Sequence, residues 1–168
     1  FVVDLDLAKF FDRVHHDRLV AAVAARISDR RVVRVIRAYL TAGVLDGGLF
    51  EESREGVPQG GPLSPLLSNL VLDELVRELE RRGHRFVRYA DDWCVFLTRS
   101  SHSYAERLRN QIRDFLAALC GVELSLEKTR ITHVRDGFNF LGFHLQVRRG
   151  QQGVPVPKVR IPRRALTN

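Results

Sequence analysis

The chain has no methionine, one tryptophan, two cysteines and only three lysines, Lys9, Lys128 and Lys158, among 168 residues. Two cysteines far apart in sequence, Cys94 and Cys120, give neither a disulfide framework nor a zinc-binding spacing. Both are expected to be buried thiols in a reducing cytosol. No apolar run is long enough to cross a bilayer, and no basic-then-apolar leader opens the chain. A cytoplasmic protein with no membrane partner is therefore expected. The lack of Met, with an immediate apolar run Phe1-Val2-Val3, predicts a fragment of a longer polypeptide.

Scarce lysine leaves the positive charge to arginine. Lys and Arg total 27 against 20 Asp and Glu, a net charge of +7. That balance favours an anionic partner such as nucleic acid, although an arginine-rich proteome would give the same count. Hydrophobic residues at 45% and this length suit one domain with a substantial core.

Periodicity sets the expected elements. Phe1 to Leu7 alternates around Asp4 and Asp6 and reads as a strand. His16 to Ile27 has helical spacing, and Asp29 can cap a second helix carrying Val32, Ile36, Tyr39 and Leu40, with Gly43 past its end. A small hairpin is expected around Asp46-Gly47-Gly48. Ser64-Pro65 reads as a capping hydroxyl followed by the first helical residue, and that helix should stop near Gly83. Ser103-Tyr104-Ala105-Glu106 reads as a capping box, opening a helix ended by Gly121. Strands are expected at 130–134 and 138–147. The basic, proline-containing tail 148–168 is expected to be a linker. Strands interleaved with helices predict an α+β domain, an antiparallel sheet of split β-α-β type with helices on one face.

Tyr89-Ala90-Asp91-Asp92 is the most informative stretch. Strand-like segments flank it, so two adjacent carboxylates sit at a hairpin tip. Like charges held together cost free energy unless a cation neutralises them, and hard oxygen ligands suit a divalent metal. Asp6 on a neighbouring strand would make a third carboxylate, a set able to hold two ions roughly 3.5–4 Å apart. Taken singly, each Asp could equally be a turn or cap residue. Asp4 shares a sheet face with Asp6 and is read as a bystander. Asp12 is read as a cap for the helix at His15-His16, and that histidine pair as a surface helix start.

Three motifs occur in order: Asp6-Leu7-Ala8-Lys9-Phe10-Phe11-Asp12, Val57-Pro58-Gln59-Gly60-Gly61-Pro62-Leu63-Ser64-Pro65 and Tyr89-Ala90-Asp91-Asp92. Leu124-Ser125-Leu126-Glu127-Lys128-Thr129 and Phe140-Leu141-Gly142-Phe143 follow. Together they resemble the palm of a reverse transcriptase of the bacterial group II intron type, over nearly the whole chain. The resemblance implies that residues 1–147 form a polymerase palm, with fingers before it and the tail leading to a thumb. It implies an RNA-directed DNA polymerase of a retroelement or maturase protein, using two Mg²⁺ ions, with Mn²⁺ as a substitute. Its partners would be an RNA template, a DNA primer and a deoxynucleoside triphosphate, with intron RNA as a further candidate.

The resemblance also implies roles. Asp6, Asp91 and Asp92 would be the catalytic, metal-binding carboxylates. Lys128 would protonate the pyrophosphate leaving group, or be an exposed surface lysine. Phe11 would exclude a 2′-hydroxyl from the incoming sugar, or simply pack in the core. Gln59, Gly60 and Tyr89 would contact the nucleotide. Phe140, Leu141, Gly142 and Phe143 would grip the primer, or form a core hairpin. Two other functions stay open on the residues alone. One is a catalytically incomplete or non-catalytic RNA-binding module, since split β-α-β sheets commonly bind RNA. The other is a nucleotide cyclase on a related sheet, which the sequence at 89–92 disfavours.

Overall fold

The structure is a computed structural model. It describes every residue except 9, 47–48, 52–54, 59, 99, 151–152 and 162–168, and leaves the side chains at 8, 44–46, 49–51 and 120 undescribed. In chain order the elements are β1 (Val2–Leu5), β2 (Leu7–Ala8), α1 (Phe10–Arg13), α2 (His16–Ala24), α3 (Arg30–Thr41), β3 (Val44–Asp46), β4 (Leu49–Glu51) and α4 (Ser64–Arg81). Then come β5 (Arg85–Tyr89), β6 (Asp92–Phe96), α5 (His102–Cys120), β7 (Glu123–Leu124), β8 (Arg130–Thr132), β9 (Phe138–Phe140), β10 (Phe143–Arg149) and β11 (Pro155–Arg160). They group into two compact units.

The first unit holds Phe1–Asp6, Gly83–Gln111 and Ser125–Asn168. Its main sheet has the order β5-β6-β1-β8, every neighbour antiparallel. Numbered by their order in the chain, these strands lie as 2-3-1-4, the split β-α-β arrangement expected. Alternation divides the sheet into two faces. Val3, Leu5, Trp93 and Val95 share one face and are fully buried, as are Ala105 and Leu108 in the first half of α5. Phe138 brings its ring edge-on to Phe96 at 6.0 Å. A second sheet, β11-β10-β9, completes the unit.

The second unit holds Leu7–Arg82 and Ile112–Leu124. Here α2 packs on α3 and α4. Leu19, Leu40, Leu72, Leu75, Leu79 and Leu116 are almost completely buried, each burial contributing roughly 2 kcal/mol before entropy is counted. Leu7 pairs with Leu124 across β2 and β7.

Several boundaries differ from the sequence expectation for identifiable reasons. Ser64 is the first residue of α4 rather than its cap. Its hydroxyl bonds the Pro58 carbonyl instead, and Leu63 precedes the helix. The α5 cap is Ser101, two residues earlier than expected. Its Oγ accepts from the Tyr104 N–H at 3.2 Å, and Ser103 lies inside the helix. Asp12 belongs to α1, and His15 precedes α2 with no side-chain cap bond. His16 is buried and hydrogen-bonded to the Gly56 carbonyl at 2.7 Å, so it is not a surface start. By contrast, Asp29 caps α3 as predicted, accepting from the Arg31 N–H at 2.8 Å. Gly47 and Gly48, at the expected turn, and the Cys120 side chain fall outside what is described.

The expected strand 138–147 is a hairpin. Leu141 and Gly142 both have positive φ, +50° and +79°, and reverse the chain between β9 and β10. Two positive φ angles at the centre of a two-residue loop match the twist of the flanking strands, and Gly142 adopts its angle without strain. The tail is likewise not a loose linker as far as Arg160. β11 pairs antiparallel with β10 from Arg149↔Pro155 to His144↔Arg160. Pro155 and Pro157 share one parity on an edge strand, so their missing N–H groups can face outward and spare the ladder.

Candidate catalytic carboxylate face

The register of the main sheet builds an acidic face. Asp4 stands opposite Cys94 on β6 and opposite Arg130 on β8, and Leu5 opposite Trp93. Asp6 follows directly on the last paired residue of β1 and lies near enough to Asp92 to act on its ionisation. Strand alternation then puts Asp4, Asp6, Asp92 and Cys94 on the face opposite the buried Val3, Leu5, Trp93 and Val95. Asp91 lies in the two-residue turn between β5 and β6, after Ala90 at φ +52°. Tyr89 pairs with Asp92 across that turn and is largely exposed.

Asp6 is held through its backbone. Its N–H donates to Thr129 Oγ1 at 3.3 Å, and its carbonyl accepts from the Ser125 N–H at 2.9 Å. The Thr129 N–H closes the turn onto the Ser125 carbonyl at 2.8 Å. Thr129 is buried, whereas Lys128 beside it is exposed. The Lys128 Nζ stands 3.9 Å from Asp6 Oδ1.

The acidic groups disturb one another's ionisation. Asp4 is pushed up to about 6, first by burial and then by Asp92 and Asp6, with Arg130 pulling the other way. Asp92 is raised by burial, then by Asp91 and Asp6. Burial, Asp4 and Asp92 push the Cys94 thiol up to about 12, so it stays protonated at neutral pH and is no nucleophile. Asp4, read from the sequence as a bystander, is thus an electrostatic member of the group. Its parity with Asp6 was visible in the sequence; its coupling to Asp92 needed the strand register.

The donor chemistry fits a hard divalent cation, because every acidic group here offers carboxylate oxygens and their repulsion is what such a cation relieves. The side chains are not drawn onto one point, however. Among the described residues, no three His, Cys, Asp or Glu side chains converge closely enough to hold a metal ion.

The other predicted residues fall into two further places. Phe140–Phe143 forms the β9–β10 turn, with Leu141 and Phe143 about half-exposed rather than in a core. Phe11 belongs to the second unit, half-buried, with its ring 5.3 Å from Phe10. Phe11 lines a cleft of about 330 Å³ with Gly60, Gly61, Ser64 and Pro65. The Phe11 carbonyl accepts from the Val57 N–H at 2.6 Å, fixing the start of the Gln-Gly segment against α1. A Cβ on Gly61 would lie 1.9 Å from the Tyr39 hydroxyl, so only glycine fits there without displacing that ring. Gln59 lies outside the described residues. Among the described residues, no helix is long and apolar enough to cross a membrane.

Known proteins resemble the chain in both sequence and fold. The family model described as reverse transcriptase (RNA-dependent DNA polymerase) matches residues 1–145. Protein YkfC of Escherichia coli (strain K12) is 34% identical over 186 residues, covering 91% of this chain and 49% of that protein. The group II intron-encoded protein LtrA of Lactococcus lactis subsp. cremoris is 26% identical over 210 residues, covering 88% of this chain and 35% of LtrA. The chain therefore spans half or less of the length of these relatives. Apo telomerase from Candida tropicalis, truncated from its C-terminal domain, superposes with a TM-score of 0.66 at 15% identity. That match covers 86% of this chain and 33% of the telomerase chain, and indicates a shared α+β palm-like fold.

Proposed function

Since the chain belongs to the reverse transcriptase family, within its group II intron type, we propose that residues 1–147 act as the palm of an RNA-directed DNA polymerase. The observation that supports this reading is the acidic face, where Asp6 follows β1 toward Asp92, and burial together with neighbouring carboxylates raises Asp4 and Asp92. In the proposed reaction the primer 3′-oxygen bonds to the α-phosphorus of a deoxynucleoside triphosphate. The bond to the bridging oxygen breaks and pyrophosphate leaves, with RNA as template.

Asp6, Asp91 and Asp92 would hold two Mg²⁺ ions, for which Mn²⁺ could substitute. Bound there, the ions would make the attacking hydroxyl more acidic and neutralise the leaving oxygen. The remaining roles belong to the chain. Lys128 Nζ stands 3.9 Å from the Asp6 carboxylate and would give a proton to the departing pyrophosphate. Phe11 would leave no room for a 2′-hydroxyl. Gln59, Gly60 and Tyr89 would contact the nucleotide or its pairing base. The exposed Phe140–Phe143 turn would hold the primer strand.

The test is Asp91→Ala in the protein expressed from its complete reading frame. Magnesium-dependent primer extension should disappear while the circular dichroism spectrum stays unchanged. Full extension by the variant would overturn the assignment. RNA binding without extension by the unaltered protein would point instead to a non-catalytic RNA-binding module.

A further inference from the structure

The far end of β10 forms one wall of an open cleft of about 980 Å³, away from the β9–β10 turn. The other wall is the turn His133-Val134-Arg135 after β8. The Val147 N–H donates to the Val134 carbonyl at 2.8 Å and ties the walls together. Gln146 is fully used in the floor. Its Nε2 donates to the Arg135 carbonyl at 2.6 Å, and its Oε1 accepts from Arg148 Nε at 2.8 Å. The Arg135 N–H donates to His133 Nδ1 at 3.2 Å.

These bonds fix a frame from which three guanidiniums project. Arg135, Arg148 and Arg149 all line the cleft and are exposed. Among the described residues, no carboxylate lines it, and neither Arg135 nor Arg149 has an ion-pair partner. Three like charges around one concavity suit a ligand carrying several negative charges in a row. Among the described residues no Phe, Tyr or Trp lines it, and the His133 ring that does is already packed edge-on against Phe1 at 5.3 Å. The space also exceeds what one phosphate fills. The chemistry that meets all of these conditions is a chain of phosphodiesters read without regard to base.

We propose that this cleft seats the phosphodiester backbone of a nucleic-acid strand, independently of its sequence and sugar. The site lies outside the carboxylate face and does not rest on the polymerase reading. Along β10 it lies roughly 10–20 Å from the Phe143 end, at about 3.3 Å per residue. That offset would let it anchor a strand without competing for the reacting groups.

The test measures binding of the intact chain to labelled oligo-uridine and oligo-deoxythymidine in EDTA across a salt series. The double variant Arg135→Ala/Arg149→Ala removes two phosphate contacts. The slope of log affinity against log salt should fall by about 1.4, equivalent to a loss of about 25-fold near 0.1 M salt. Both oligonucleotides should lose alike, and Arg135→Lys/Arg149→Lys should keep most of the slope. An unchanged slope, or a loss confined to the RNA, would overturn the proposal. So would polyglutamate binding as tightly with the same dependence on the two arginines, which would indicate an acidic protein partner. The measurement is made without metal, so a failed primer-extension assay leaves it intact, and its own failure leaves the catalytic assignment untouched.

Discussion

Replacing Asp4 with asparagine should stabilise the chain at neutral and alkaline pH. The Asp4 carboxyl titrates near 6 in the fold against 3.8 when free of it. A raised acid pKa means that the folded state holds its proton more tightly than the unfolded chain does. Stability therefore rises as pH falls through 6 and levels off below 3.8; above 6, the charged carboxylate is a cost. That rise is worth about 3 kcal/mol at full value. Asp4 is only half-buried, and water screens part of the repulsion, so about 1–2 kcal/mol is the better figure. Asparagine has nearly the same shape and no charge, which removes the cost. For a chain of this size the melting temperature should rise by about 3–6 °C at pH 8. The gain should shrink through pH 6 and vanish below pH 4. Thermal melts of both forms in EDTA, followed by circular dichroism at several pH values, measure it. A variant no more stable than the parent at pH 8, or a gain that persists at pH 4, would refute the reading that burial, with Asp92 and Asp6 nearby, makes the Asp4 charge a cost.

Three further outcomes follow from the same face. Thr129→Val keeps the buried shape but leaves the Asp6 N–H without its 3.3 Å acceptor; chemical denaturation should show a loss of about 1–2 kcal/mol. Ala90→Gly relieves a positive φ at the β5–β6 turn; the same denaturation assay should show a gain of up to about 1 kcal/mol, and a clear loss would mean the angle carries no strain. Lys128→Met removes an exposed ion pair at 3.9 Å, so stability should change by less than about 1 kcal/mol. In the complete protein, however, primer extension should slow by about 10²-fold or more. Extension at the parental rate would leave Lys128 a surface residue.

Much of the architecture could be read because apolar spacing is a local property. The β5–β6 hairpin, the Asp29 cap and the stops at Gly83 and Gly121 all depend on a few adjacent residues. The misreadings arose where two local signals competed. Ser101 and Ser103 both offer a hydroxyl two residues apart, and only the turn of the helix selects Ser101. Ser64 looked like a cap because Pro65 follows it, but its hydroxyl found the Pro58 carbonyl. Pro155 and Pro157 suggested a linker, yet prolines of one parity are tolerated on an edge strand. At the site, Asp6, Asp91 and Asp92 were legible as a pattern. The weight of Asp4 was not, since it arises from the pairing of residues some ninety positions apart.

The acidic face couples protons and cations through one repulsion. Asp4 and Asp92 are raised first by burial and then by the like charges that the sheet register brings near them. A proton on either group relieves that repulsion, and so would a divalent cation on Asp6, Asp91 and Asp92. The two therefore compete, and cation affinity should weaken as pH falls through about 6, where Asp4 takes up its proton. Neutralising Asp4 permanently acts in two opposing directions. It lowers the local negative charge that draws a cation in, and it would free Asp92 to ionise at lower pH only to the extent that Asp4 acts on that carboxyl. If the first effect dominates, Asp4→Asn raises the magnesium concentration needed for half-maximal melting shift at pH 8. If the second dominates, the variant keeps its magnesium response to lower pH than the parent does. The ordering of causes at Asp92, with Asp91 and Asp6 as its charged neighbours and Asp4 not among them, favours the first.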